Sequence, residues 1–191
     1  MALLFSSTWD DAERWRQALA RELPGLDFRE WSPDGKDVGE PADIDYALVW
    51  KPEPGMLTTF PNLKAIFSLG AGVDHLRGTD LPAGVPVVRL VDPGLTAGMS
   101  EYVVHWVLHH HRRFGDYARQ QAEKRWQPLP QTDARARRVG IMGLGVMGRD
   151  AVAKLKPFGF DLAGWSRRPK EVAGVETFHG AAGRGPVLAG T

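Results

Sequence analysis

Six residues constrain this chain more than any others. Gly143-Leu144-Gly145-Val146-Met147-Gly148 lies directly between an apolar segment, residues 139–142, and a helical pattern carrying Val152 and Leu155. Glycine permits tight turns and lets backbone lie close to whatever sits above it, so a G-x-G-x-x-G run in this setting predicts a sharp strand-to-helix turn. The free N–H groups and helix dipole at such a turn attract negative charge, which suits the pyrophosphate of a dinucleotide. Because the chain holds 22 glycines, the string alone is a weak signal, and the strand before it and the helix after it give it weight. The competing reading is a glycine-rich turn that holds no nucleotide.

The next strand, predicted at residues 161–165, runs into Trp165-Ser166-Arg167-Arg168, with Lys170 shortly after. A site for NAD commonly has Asp or Glu here, about 20 residues past the glycines, to hold the ribose 2′-hydroxyl. A carboxylate would repel a 2′-phosphate, whereas a hydroxyl and two guanidinium groups can donate to one. Ser166, Arg167 and Arg168 therefore favour NADP(H), with NAD(H) possible. A solvated basic turn is the plain alternative.

Upstream, short apolar runs alternate with turns and helical stretches. Strands are predicted at 2–6, 27–31, 46–50, 63–69 and 85–90, a helix through Trp9, Ala12, Trp15, Leu19 and Leu23, and a loop over 32–45. Parallel strands need crossovers rather than hairpins, so this pattern predicts an α/β domain with helices on its faces. Residues 97–114 carry no proline and predict a helix about 27 Å long at 1.5 Å per residue. The polar stretch 115–137, with Pro128 and Pro130, reads as a connector. The expected division is 1–96 for a first domain, 97–137 for an interdomain helix and connector, and 138–191 for the start of a nucleotide domain.

Composition narrows the partners. With 43% apolar residues, 25% charged residues and a net charge of +1, the chain is of globular type and offers no electrostatic case for nucleic acid or an anionic membrane. No apolar run approaches the roughly 20 residues of a membrane span. Residues 1–5 give way at once to Ser6-Ser7-Thr8, which does not read as a signal sequence. The absence of cysteine excludes disulfides and thiol chemistry. These points predict a cytoplasmic protein with small-molecule partners. His105 and His109 stand one helical turn apart, but no third ligand or H-E-x-x-H pattern accompanies them, so no metal is expected. Arg135, Arg137 and Arg138 read as a solvated domain entry, since no aromatic interleaving supports a nucleic-acid surface.

Several strings in order resemble the D-isomer-specific 2-hydroxyacid dehydrogenases, and within them the glyoxylate/hydroxypyruvate reductase A group. They are Tyr46-Ala47-Leu48-Val49-Trp50, Leu69-Gly70-Ala71-Gly72-Val73-Asp74, Glu101-Tyr102, Arg112-Arg113-Phe114 with Asp116-Tyr117, Gln120-Gln121, Trp126-Gln127-Pro128-Leu129-Pro130, the glycine run and Trp165-Ser166-Arg167. The likeness extends from Met1 to about Phe178.

The resemblance implies a flavodoxin-like N-terminal substrate domain, incomplete here, followed by the first part of a Rossmann NAD(P)-binding domain. It implies reduction of glyoxylate, hydroxypyruvate or a related 2-oxo acid by hydride from the nicotinamide, and a homodimer for full-length members. By resemblance, the N–H groups of Ala71 and Gly72 meet the substrate carboxylate, and Trp50 walls the site. A Gly-Ala-Gly turn after a strand is in any case a ready anion cradle. The alternatives are a turn built only for connection, and a core role for Trp50, since the chain has seven tryptophans.

The cofactor candidates are Gly143, Leu144, Gly145, Val146, Met147, Gly148, Ser166, Arg167 and Arg168. The family's catalytic Arg, Glu and His fall later than the matched stretches, so they are expected beyond Thr191 and no catalytic residue is carried over. The chain thus reads as truncated at its C-terminus, and turnover by the isolated 191 residues is not expected. A full nucleotide domain has about six strands, of which two are expected here, with residues 180–191 left without a packing partner. The alternative function is a non-catalytic remnant that binds nucleotide or dimerises through the long helix.

Overall fold

The structure, a computed structural model, describes residues 1–32, 38–78 and 80–189. It divides into two compact units, Met1–Asp92 and Pro93–Thr191, each described by itself below. The middle of the expected loop at 32–45, residues 33–37, lies outside the described residues.

The first unit holds β1 (Ala2–Ser7), α1 (Ala12–Glu22), β2 (Asp27–Glu30), β3 (Ile44–Trp50), β4 (Ala65–Ser68) and β5 (Val87–Arg89). Its strands are all parallel, in the order β2-β1-β3-β4-β5, which is the flavodoxin-like order. Alternation along the strands divides the core in two. Leu4, Ala47, Val49 and Ile66 face a cluster closed by Met56, Leu57, Phe60 and Leu76. Leu3 and Phe5 face the opposite way, towards Phe28 and the Trp15 and Leu19 side of α1. Asp11 caps α1, its carboxylate accepting from the N–H groups of Glu13 at 2.9 Å and Arg14 at 3.2 Å.

An α-helix packs on one face of this sheet, the face that carries Leu3 and Phe5. Among the described residues of this unit α1 is the only α-helix, and the crossovers into β4 and β5 are single 3₁₀ turns at Met56–Thr59 and Asp74–Leu76. Pro52, Pro54 and Gly55 break the first of these before it can lengthen. The sheet face beside α1 therefore keeps an apolar groove of about 550 Å³ between Trp15, Leu19, Leu48, Phe67 and Val88.

The second unit holds α2 (Pro93–His111), α3 (Phe114–Ala122), β6 (Arg138–Met142), α4 (Val146–Leu155), β7 (Asp161–Ser166), β8 (Glu176–His179) and α5 (Arg184–Leu188). Three parallel strands run in the order β6-β7-β8, the order of the first half of a dinucleotide-binding sheet. The helix expected at 97–114 begins at Pro93 and stops at His111, because Arg113 takes a left-handed conformation, φ 58°, and α3 starts afresh. Val103, Val104, Val107 and Leu108 of α2 pack on Leu144, Val152, Leu155, Phe160 and Leu162. Ser100, only 2% exposed, donates to the Asp150 carboxylate of α4 at 2.6 Å. Such a bond to a charged group stabilises by roughly 1.5–3 kcal/mol.

Two expectations about the end of the chain are overturned. A third strand exists, β8, whose Glu-Thr-Phe-His sequence has no apolar run to announce it and forms because β7 offers a free ladder. Residues 180–189 do find a packing partner: Val187 of α5 is fully buried, against β7 and β8.

His111 closes α2 at 8% exposure, its ring edge-on to Phe160 at 5.0 Å between centroids. Burial, with help from the charges of Arg137 and Arg112, holds its pKa below the ordinary 6.5. A native histidine with lowered pKa resists protonation that the unfolded chain accepts, so stability is full above the unfolded value of 6.5 and falls as pH drops below it. Thermal unfolding from pH 7.5 to 5 is expected to show a falling midpoint, with His111 contributing at most about 1.4 kcal/mol per pH unit. His111→Leu is expected to flatten that slope, and an unchanged slope would remove His111 as its source.

Candidate dinucleotide site and substrate loop

The turn from β6 to α4 uses each of its three glycines differently. Gly143 sits at φ +112°, a conformation that side-chain-bearing residues avoid. A Cβ on Gly148 would lie 1.8 Å from the Gly143 carbonyl oxygen, so only glycine lets α4 seat against the end of β6. A Cβ on Gly145 would meet nothing within 4 Å. Packing does not require glycine there, and the open space over its backbone is the room a ligand would take. Leu144 is fully buried, beneath Gly164 of β7, where a Cβ would stand 2.7 Å from a Leu144 methyl. Leu144 therefore offers only its backbone to a ligand.

Val146 and Met147, both exposed, open α4. No side chain caps that helix, and no acidic residue stands in its first turn. The N-terminal N–H groups are thus free of a protein carboxylate, which is the condition for holding an anion there. The residues present fit the diphosphate of a dinucleotide.

After β7 the chain turns through the basic segment. Arg167 and Arg168 are exposed, whereas Ser166 is buried at 6% and its hydroxyl donates to the Arg168 carbonyl at 2.6 Å. Ser166 thereby shapes the turn that presents the two guanidinium groups. Trp165 donates from Nε1 to the Gly180 carbonyl at 2.7 Å and lies under the Arg184 guanidinium, 5.1 Å from ring centroid to charge centre. In the sequence Lys170 is only a neighbour of the basic turn. In the structure its ammonium donates to the Leu144 carbonyl at 2.8 Å, a link across 26 residues that no local pattern signals.

In the first unit, Trp50 ends β3 and the loop at 69–73 follows β4. Gly70 cannot carry a side chain, since its Cβ would fall 2.2 Å from Trp50 Cζ3. Ser68, 3% exposed, braces the loop: its hydroxyl accepts from the Gly70 N–H at 3.2 Å and donates to the Gly70 carbonyl at 3.0 Å. Among the described residues the N–H groups of Ala71 and Gly72 donate to no protein acceptor, as an anion cradle requires. His75, unremarked in the sequence, lies against Trp50 at 4.3 Å between centroids, and burial lowers its pKa.

A cleft of about 340 Å³ is lined by Trp9 and Asp10 past β1, Trp50 and Lys51 at the end of β3, and Leu69 and Gly70 past β4. That is the carboxyl edge of the sheet at the β1/β3 switch point, where open α/β sheets bind their ligands. The rings of His105 and His109 stand 5.9 Å apart, and among the described residues no group of three ligating side chains could hold a metal. None of the described helices is long and apolar enough to cross a membrane.

The family described as D-isomer specific 2-hydroxyacid dehydrogenase, NAD binding domain, matches residues 104–183. The glyoxylate/hydroxypyruvate reductase A of Serratia proteamaculans is 39% identical over 196 residues, covering 100% of this chain and 61% of the relative. A D-isomer specific 2-hydroxyacid dehydrogenase from Xanthobacter autotrophicus Py2, solved with NADPH and MES, superposes with a TM-score of 0.90 at 43% identity, over 100% of this chain and 61% of that one. A protein described as a probable 2-hydroxyacid dehydrogenase from Rhizobium etli CFN 42, solved with NADP, HEPES and L(+)-tartaric acid, gives 0.87 at 38% identity over 100% and 60%. Residues 104–183 thus match the NAD binding domain of the D-isomer specific 2-hydroxyacid dehydrogenases, and the whole chain is similar to proteins described as members of that family. It spans about three fifths of the length of these relatives. Its fold agrees with the α/β expectation, a flavodoxin-like unit followed by the first strands of a Rossmann domain.

The glycine environments separate stability from binding. Gly148→Ala is expected to cost at least about 1–3 kcal/mol by forcing the helix off the strand, visible as a lowered unfolding midpoint. Gly145→Ala is expected to leave the midpoint within about 0.5 kcal/mol and to weaken dinucleotide binding about tenfold or more, or 1.4 kcal/mol. The reverse pattern in paired denaturation and titration experiments would overturn this assignment of roles.

Proposed function

We propose that this chain forms the cofactor-phosphate site and the substrate-carboxylate loop of an NADPH-dependent reductase of small 2-oxo acids, glyoxylate and hydroxypyruvate among them. The observation that carries the reading is the open space over Gly145 at the uncapped start of α4, with two exposed guanidinium groups at the end of the next strand. The relatives named for glyoxylate and hydroxypyruvate reduction, and those solved with NADPH or NADP, support it.

In this reading Gly143, Leu144, Gly145, Val146, Met147 and Gly148 hold the diphosphate through backbone N–H groups. Arg167 and Arg168 hold the 2′-phosphate in a turn shaped by Ser166, and NADP(H) is preferred to NAD(H). Ala71 and Gly72 donate to the substrate carboxylate, and Trp50 walls the site. The nicotinamide supplies the hydride, and no acid–base residue is assigned within residues 1–191. The setting we propose is the cytoplasm, which holds a reduced nicotinamide pool.

Titration of the purified chain tests the cofactor part. NADPH at one hundred times its Kd is expected to add about 2.7 kcal/mol to the stability of the second unit, and NADH at the same concentration distinctly less. Equal shifts would remove the 2′-phosphate assignment, and no shift with either would overturn the site.

A homodimer belongs to the same proposal, and its support is α2. That helix is apolar nearly all round: while Val103, Val104, Val107 and Leu108 are packed, Leu95, Met99, Tyr102 and Trp106 form a second stripe, each about 40% exposed or more. Such a helix is ordinarily covered on both sides. Their spacing of four, three and four is the seam of a helix that meets another. The alternative of a non-catalytic dimerising remnant rests on this stripe too. Light scattering is expected to give a dimer for the chain and a monomer for Trp106→Glu, with a loss of at least about 2 kcal/mol of association energy. A wild-type monomer at micromolar concentration would remove the dimer.

A further inference from the structure

Lys170 lies three residues beyond the pair of arginines' start, after Pro169, and its side chain crosses back to the phosphate loop. The Nζ donates to the Leu144 carbonyl at 2.8 Å. Among the described residues it pairs with no carboxylate, although several other cations of this unit do: Arg138 with Asp161 and Glu176, Arg113 and Arg119 with Asp116. An ammonium has three N–H groups. One is spent on Leu144, so the remaining donors and the full charge stay available between the glycine turn and the end of β7.

That position matters for two physical reasons. First, a trans peptide is planar and the chain has no cis bond, so the Leu144 C=O and the Gly145 N–H point in opposite directions. Holding the carbonyl therefore aims the N–H, and Gly145 is where the open space lies. Second, the end of the strand after the glycine turn is where the adenosine ribose presents its 2′ position. A cation tied to the glycine turn yet emerging from the β7 end spans both subsites.

We propose that Lys170 is a specificity-determining residue for a 2′-phosphorylated dinucleotide, orienting the Gly145 N–H through the Leu144 carbonyl while its charge faces the 2′-phosphate. The inference rests on the cofactor reading above and adds to it a residue that couples the two phosphate subsites. Lys170 is a positioning and binding residue, with no part in proton or hydride transfer.

Calorimetric titration of the 191-residue chain with NADPH and with NADH tests the proposal on Lys170→Met and Lys170→Arg. Lys170→Met is expected to raise the Kd for NADPH about tenfold or more while raising that for NADH no more than about threefold, since NADH loses only the loop tether. Lys170→Arg is expected to recover most of the NADPH affinity. Adenosine 2′,5′-bisphosphate against 5′-AMP gives a second measure that needs no nicotinamide, and circular dichroism checks that each variant is folded. Equal losses for NADPH and NADH would reduce Lys170 to a structural tether and overturn the proposal, as would NADPH binding unchanged in Lys170→Met. Failure of the wild-type chain to bind either nucleotide is a separate result, which overturns the cofactor reading and this inference with it.

Discussion

The second unit depends on one contact, the seating of α4 against the end of β6 at Gly148. With less than 2 Å between a notional Cβ there and the Gly143 carbonyl, helix and strand meet as closely as backbone allows. Several features follow from that closeness. Gly143 must reverse the chain at positive φ. Leu144 is driven down into the space that Gly164 leaves in β7, and it becomes a fully buried part of the core that α2 covers. Gly145 is left uppermost with nothing over it. The helix start, with its unpaired donors and partial positive charge, is thereby aimed at solvent rather than at protein. The turn thus anchors the fold and, by the same geometry, leaves its N–H groups where the phosphates of the proposed dinucleotide would lie.

Both sheets are polarised in the same sense. At its amino edge the three-stranded sheet is tied by one guanidinium: Arg138, first in β6, pairs with Asp161 of β7 at 2.9 Å and with Glu176 of β8. In the five-stranded sheet Asp45 accepts from Lys64 at 2.6 Å and from the Ala2 N–H at 3.0 Å, and these bonds hold its carboxyl below the ordinary carboxylate range. Arg29 likewise pairs with Asp27 and Asp43. In each of these pairs one partner is well exposed, and each adds little energy. Their placement matters more than their strength, because charged side chains close one edge while the opposite, carboxyl edge carries the glycine turns.

How far the sequence disclosed this structure follows from what each feature depends on. Strands β1, β3, β4 and β7 were legible because strands inside a parallel sheet are apolar runs bounded by turn residues. The glycine turn was legible because its signal is local. What was hidden depends on partners distant in sequence. β8 has no apolar run of its own and exists through its ladder with β7, and α5 is anchored by a single buried valine. The crossovers into β4 and β5 carry 3₁₀ turns where a general rule for parallel sheets predicts helices, since prolines and glycines interrupt both segments. At the site, the reach of Lys170 to Leu144, the brace of Ser68 under Gly70 and the packing of His75 on Trp50 are properties of tertiary structure, and a motif search has nothing with which to find them.

The two glycine turns also show why counting glycines cannot identify a ligand site. Gly70 and Gly145 both follow a parallel strand of an α/β unit, and by sequence either could be the place where a ligand meets backbone. Their surroundings are opposite. Gly70 is glycine because Trp50 occupies the position its side chain would need, so its demand is met within the protein. Gly145 faces empty space, at a φ of −82° that any residue adopts, so neither packing nor backbone strain demands the absence of a side chain. The space over Gly145 is where the proposed dinucleotide would lie, whereas in the first unit the N–H groups of Ala71 and Gly72 remain open once Gly70 has accommodated the tryptophan.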